Sequence, residues 1–175
     1  SFFKITPDLS CFGKAMGNGM PISALVGKKK YMKNFDKVFY AMNFVSERAS
    51  LGAANVILDY YIKNDVAKKV NQKGKYLWLK LHISIKKNKL ENLFQLQGMY
   101  SRIIIGFKNN LNSDFLANKG IGIENLVRLI VKDFTKNGIL CNLSVFINHS
   151  HTKENLDKFS IVFDMICSKI AKNKL

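Results

Sequence analysis

Apolar positions come in short runs near the start of the chain and in helix-spaced stripes further on. Leu9 to Phe12 reads as a buried strand, and Ile22 to Val26 as a second strand closed by Gly27. Lys28 to Phe35 places Tyr31, Met32 and Phe35 on one side of a short amphipathic helix. Val38 to Met42 is another apolar run of strand character. Ser46 offers an N-cap hydroxyl, with Glu47 well placed against the helix dipole. The helix it opens runs to about Ile62, with Leu51, Ala54, Leu58 and Tyr61 on one face. A second helix, Val66 to Ile85, repeats Val66, Val70, Leu77 and Leu81 at four- and seven-residue spacings.

The texture then changes. Leu93 to Phe107, centred on Arg102-Ile103-Ile104-Ile105, is rich in β-branched residues and reads as strand. Ile123 to Lys136 is helical and stops at Asn137-Gly138. Ile139 to Ile147 reads as a strand. Thr152 caps a last helix in which Leu156, Phe159, Phe163, Ile166 and Ile170 recur at three- and four-residue steps, a core stripe. This order of helices and strands predicts an α/β fold, with helices covering one face of a small sheet.

Composition narrows the function classes. No apolar stretch reaches the ~18 residues of a membrane span, and nothing at the start resembles a signal peptide. Cys11, Cys141 and Cys167 are widely separated, with no C-x-x-C or Cys/His ligand spacing. Neither a disulfide framework nor a metal site is expected, and a reducing cytoplasm is the simplest setting. The net charge of +16 is almost all lysine, since arginine occurs only at 48, 102 and 128. Base readout and bidentate phosphate recognition favour arginine. Lysines scattered singly or in short runs read as a solvated surface, so nucleic acid is not the expected partner.

The stretch richest in chemistry is Pro7-Asp8-Leu9-Ser10-Cys11-Phe12-Gly13-Lys14-Ala15-Met16-Gly17-Asn18-Gly19-Met20-Pro21. Lys14 ends an apolar run among glycines that let the backbone turn tightly and approach a bound group closely. A lysine so placed can capture a carbonyl as a Schiff base. The same glycines fail as nucleotide loops: Gly13-Lys14-Ala15 lacks the P-loop hydroxyl, and Gly17-Asn18-Gly19 runs into Met20-Pro21-Ile22. His149 and His151 flank Ser150 with no third ligand or nucleophile evident, which suits a structural or capping role. Arg48, Arg102 and Arg128 could bind a substrate carboxylate, but no pattern singles one out.

The run from Pro7 to Met32 resembles the cofactor-lysine region of the class III pyridoxal-phosphate aminotransferases, in the branch similar to glutamate-1-semialdehyde aminomutase. Asn43-Phe44-Val45-Ser46-Glu47-Arg48-Ala49-Ser50-Leu51-Gly52-Ala53-Ala54 is similar to the family's Thr-Phe-Gly-Gly-Glu…Leu-x-Ala-Ala segment. Asn148 to Asp157, with His151-Thr152, resembles the family's Ser-x-His-Thr-x-x-Asp-Ile-Asp before the last helix. The matches occur in family order and correspond to roughly the last two-fifths of a member.

The resemblance implies the C-terminal part of a fold-type I transferase. Residues 1–50 would finish the large cofactor domain, and 51–175 would form the small C-terminal α/β domain. The cofactor would be pyridoxal 5′-phosphate, with Lys14 as catalytic and cofactor-binding residue. Asn43 stands where members carry a phosphate-binding threonine of the neighbouring subunit, and the helix start could add backbone N–H groups. The partners implied are a small amino donor, a carbonyl acceptor and a second subunit, in a cytoplasmic homodimer without membrane contact. The implied activity is amino transfer, with an aminomutase using the same residues as the alternative. Outside those classes stand a basic polyanion-binding module and an inactive remnant. The fragment by itself is expected to be inactive, because most ring contacts would lie in the missing part.

Overall fold

The structure is a computed structural model and describes residues 4–39, 44, 47–108 and 122–172. The chain divides into two compact units, 1–66 and 67–175.

In the first unit, β1 (Leu9–Phe12) and β2 (Ala24–Gly27) form an antiparallel pair with Leu9 opposite Gly27 and Phe12 opposite Ala24. Lys28 anchors the open end of this hairpin: its N–H donates to the Asp8 carbonyl at 2.9 Å, and its amine pairs with the Asp8 carboxylate at 2.6 Å. Helix α1 (Lys29–Met32) is a single turn that continues as a 3-10 segment, Lys33–Lys37, over part of the span expected to be helical. The expected strand at Val38 to Met42 falls mostly outside the described residues, and Val38 itself is a bend. Helix α2 (Arg48–Lys63) begins where the sequence places a helix start, with Glu47 as its N-cap. Ser46, the expected cap, lies outside the described residues.

Two burial expectations fail here. Strand β1 is exposed at three of its four residues. On the expected inner face of α2, Ala54 is buried, whereas Leu51, Leu58 and Tyr61 remain exposed. A two-stranded hairpin and one long helix provide no second layer among the described residues, so apolar periodicity finds no core to enter.

The second unit carries the core. β3 (Phe94–Met99), β4 (Arg102–Phe107) and β5 (Ser144–Phe146) form an antiparallel sheet in the order β3-β4-β5. Helices α3 (Val66–Lys87, starting at the unit boundary), α4 (Ile123–Lys136) and α5 (Lys153–Ala171) supply the rest. Leu77, Leu81 and Ile85 of α3 join Ile103 and Ile105 of β4 in one buried cluster. Leu126, Ile130 and Phe134 of α4 and the whole predicted stripe of α5 complete it. Phe134 stacks on Phe159 with ring centroids 4.8 Å apart. In α3, Gly74 is required for space, because a Cβ there would overlap the Tyr100 carbonyl.

The strand expected over Ile139 to Ile147 shrinks to Ser144–Phe146. Leu143 sits at φ +67, a left-handed conformation that cannot continue a strand, with its N–H bonded to the Cys141 sulfur at 3.3 Å. Local backbone geometry overrides an apolar run that reads as strand throughout.

Candidate cofactor-lysine site

Lys14 opens a 3-10 turn, Lys14–Met16, directly after β1. Its φ is +51, a conformation costing a lysine roughly 1–2 kcal/mol and kept only where surroundings enforce it. The enforcement is visible. The Lys14 carbonyl accepts from the N–H groups of both Gly17 and Asn18 at 3.1 Å. Met16 N–H donates to Gly13, Met20 to Gly17, and Ile22 to Met20, closing the loop. Gly17 is buried, and a Cβ there would stand 2.5 Å from both the Ile22 Cγ2 and the Met20 carbonyl oxygen. Gly19 serves conformation instead, at φ +108 with nothing near its missing Cβ. The Lys14 side chain is exposed. A constrained backbone thus carries an accessible primary amine, the donor chemistry that a carbonyl-bearing cofactor requires. Helix α2 runs beside the 3-10 turn.

The start of α2 departs from expectation. The Glu47 carboxylate accepts from Ala49 N–H at 2.8 Å and from Ser50 N–H at 2.7 Å. The nearby Ser50 hydroxyl, then the hydrogen bonds from the Ser50 and Ala49 backbone N–H groups, hold its acid below the usual carboxylate range. Those two N–H groups are therefore not open to a phosphate. Glu47 is the cap itself, where the sequence alone points to Ser46 as cap and to a dipole effect for Glu47. Asn43 lies outside the described residues, so its expected phosphate contact has no geometry here.

In the second unit, the loop before α5 is organised by Asn148, whose side-chain oxygen accepts from the N–H groups of Ser150 and His151 at 3.0 Å. His151 Nδ1 accepts from Asn148 N–H at 3.3 Å, and burial followed by the nearby Lys73 charge pushes its pKa down. The carbonyl of His149 accepts from Lys73 Nζ at 2.6 Å. These contacts fit the loop-structuring role expected of the two histidines. Arg102 is engaged within the sheet, donating to Ser144 Oγ at 3.2 Å and lying 4.9 Å over the Phe146 ring.

Sequence reading missed one polar centre. Asp157 of α5 accepts from Tyr76 Oη at 2.5 Å and pairs with Lys153 at 2.7 Å and Lys80 at 3.1 Å. Only the Lys153–Asp157 spacing was legible; the partners from α3 lie about eighty positions away in sequence. Among the described residues no three His, Cys, Asp or Glu side chains gather as a metal site. Nor is any described helix long and apolar enough to cross a membrane.

Comparison with known proteins extends this picture. The family model for class-III aminotransferases matches residues 1–161. The chain is 30% identical over 184 aligned positions to the glutamate-1-semialdehyde 2,1-aminomutase of Wigglesworthia glossinidia brevipalpis, covering 100% of this chain and 41% of that protein. The enzyme of the same name from Methanosphaera stadtmanae is 28% identical over 178 positions, covering 98% and 41%. A 3-aminobutyryl-CoA aminotransferase from Cloacimonas acidaminovorans is 42% identical over 74 positions, covering 42% and 18%. Among solved structures, the FumI protein of Sphingopyxis sp. MTA144, in its pyridoxal-phosphate internal aldimine form, superposes with TM-score 0.81 at 21% identity. It covers 99% of this chain and 39% of that one. An omega-transaminase from Sphaerobacter thermophilus gives 0.77 at 17% identity, covering 98% and 40%. The chain spans about two-fifths of the length of the relatives it matches along its whole length. The family match and the fold converge on one assignment: this chain belongs to the class-III aminotransferases.

Proposed function

We propose that this chain is the C-terminal part of a pyridoxal-phosphate-dependent amino-transferring enzyme, with Lys14 as the residue that holds the cofactor. The observation that carries this reading is the exposed Lys14 amine, held at positive φ by a glycine-closed loop inside the family match. When bound, the cofactor supplies an aldehyde for attachment and a ring that takes up the electron pair of a carbanion. Lys14 holds that aldehyde between turnovers. Once released, its amine would move the proton at the substrate α-carbon, as general base and then acid. Gly17 and Gly19 keep the loop compact around it.

Residues 1–50 are assigned to the end of the cofactor domain and 51–175 to the small domain. Helix α2 supports completion by more polypeptide. Arg48, Asn55, Asp59 and Lys63 share its one polar face, whereas on its broader apolar face Val56 is 70% and Ile62 79% exposed, and an apolar face of that kind is normally covered by protein. A homodimer in the cytoplasm is the assembly and setting proposed, with a small amino donor and a carbonyl compound as substrates. The 175-residue chain alone is proposed to be inactive. Its helix α2 offers no phosphate donors at Ala49 and Ser50, and one lysine does not make a pocket.

The test uses the longer polypeptide that contains this chain. Borohydride reduction of bound cofactor followed by peptide mapping is expected to place the label on Lys14, and Lys14→Ala is expected to abolish it. Label retained on another lysine in Lys14→Ala ends the assignment. Aminomutase action is the second reading, favoured by the names of the two relatives matched along the whole chain. Product analysis separates the two: a mutase returns the amino group to the same carbon skeleton, whereas a transferase needs a separate donor.

A further inference from the structure

Three glycines border Lys14, and the structure gives them different work. Gly13 is extended at φ −171, and a Cβ there would meet its neighbours at an ordinary 3.7 Å. Gly19 needs its left-handed conformation but has open space around it. Gly17 has an ordinary right-handed conformation, φ −96 and ψ −15, which any residue adopts. What Gly17 lacks is room. A Cβ would lie 2.5 Å from Ile22 Cγ2, a half-buried side chain, and 2.5 Å from the Met20 backbone oxygen. Contacts that short force a neighbour to move. The nearest movable element is the loop itself. Gly17 also donates its N–H to the Lys14 carbonyl and accepts from Met20 N–H, so displacing it disturbs both ends of the turn.

We propose that Gly17 is a positioning residue for Lys14, a role that rests on Lys14 being the cofactor-holding lysine. The missing side chain lets Ile22 seat against the backbone at Gly17. That contact fixes the paired acceptance at the Lys14 carbonyl and hence the direction in which the lysine leaves the loop. Small displacements of a reacting amine weaken capture steeply, because capture requires the aldehyde carbon at near-contact distance and correct angle. Gly17 touches neither substrate nor cofactor in this account. It acts through the backbone of Lys14.

The experiment is run on the cofactor-loaded enzyme that contains this chain. It measures three quantities: the fraction of bound cofactor trapped on Lys14 by borohydride, the pH midpoint of the bound cofactor's absorbance band, and the melting temperature. Gly17→Ala is expected to lower trapping at Lys14 by about tenfold or more and to move the pH midpoint. Gly13→Ala is expected to match the parent in both. Ile22→Ala added to Gly17→Ala removes the Cγ2 overlap and is expected to restore part of the trapping. A Gly17→Ala enzyme with the parent's trapping and pH midpoint overturns the proposal. So does a double variant that melts like the parent yet traps no better than Gly17→Ala, or equal loss in Gly13→Ala. Should Lys14→Ala keep its reducible cofactor, the reading of Lys14 itself fails. Should Lys14→Ala lose it while Gly17→Ala does not, that reading stands and only the role of Gly17 falls.

Discussion

Asp157 shows how one side chain can tie two distant helices together. Tyr76 and Lys80 of α3 and Lys153 of α5 all converge on its carboxylate, and both lysines lie over the Tyr76 ring, at 5.1 and 5.7 Å. Hydrogen bonds from Lys153, then Tyr76, then Lys80 hold its acid well below the ordinary carboxylate range. The sign follows from linkage. A carboxylate with a depressed folded pKa contributes stability above its unfolded pKa and loses it as pH falls through the folded value. Asp157→Asn is therefore expected to melt lower than the parent at neutral pH, and the gap is expected to narrow as pH drops below about 4. Thermal melts across pH 2 to 7, followed by circular dichroism, check this. A gap independent of pH would mean that packing, not charge, carries the effect. The exposed Lys63–Asp59 pair at 3.9 Å provides the contrast, and its removal is expected to change little.

Helix ends decide where the elements of the second unit stop. At the end of α4, Gly138 N–H donates to Thr135 and Ile139 N–H to Phe134, both at 2.9 Å, with Gly138 at φ +70. This is a Schellman closure, and it needs a residue that tolerates the left-handed region. At the start of α5, Thr152 Oγ1 accepts from Asn155 N–H while the Asn155 side chain accepts from Thr152 N–H. Gly138→Ala is expected to cost about 1 kcal/mol and Thr152→Ala a similar amount. Urea unfolding of each single variant measures these losses. Both signals were legible in the sequence, as were the bounds of α4 and the stripe of α5, because caps and helical spacing are local. The shortness of β5 was not, since it depends on the positive φ of Leu143. The burial of β1 and the inner face of α2 also misled, because apolar spacing records a face to be covered and not which polypeptide covers it. At the candidate site, the tight turn that carries Lys14 was readable from its glycines. The distinct roles of Gly17 and Gly19 needed the loop's closure, and the capture of two α2 N–H groups by Glu47 needed coordinates.

At the scale of the chain, the two units differ in how complete they are. The contiguous core runs from Leu77 to Ile170, wholly within the second unit. In the first unit, Ile5, Phe12, Val26, Val56 and Ile62 are each between 48% and 79% exposed. Large apolar side chains left this exposed in one unit mark surface that more protein would cover. The asymmetry predicts separable behaviour. Residues 67–175 expressed alone should unfold cooperatively at nearly the melting temperature of the 175-residue chain, because their core is self-contained. The 175-residue chain should bind a hydrophobic dye strongly, and removing residues 1–66 should take most of that fluorescence away. Differential scanning calorimetry and dye titration of the two proteins at equal molar concentration measure both effects. A truncated protein that fails to fold, or that binds as much dye per mole as the longer chain, would show that the first unit shields the second. In that case the exposed apolar residues of α2 would be needed by the second unit and not by further polypeptide.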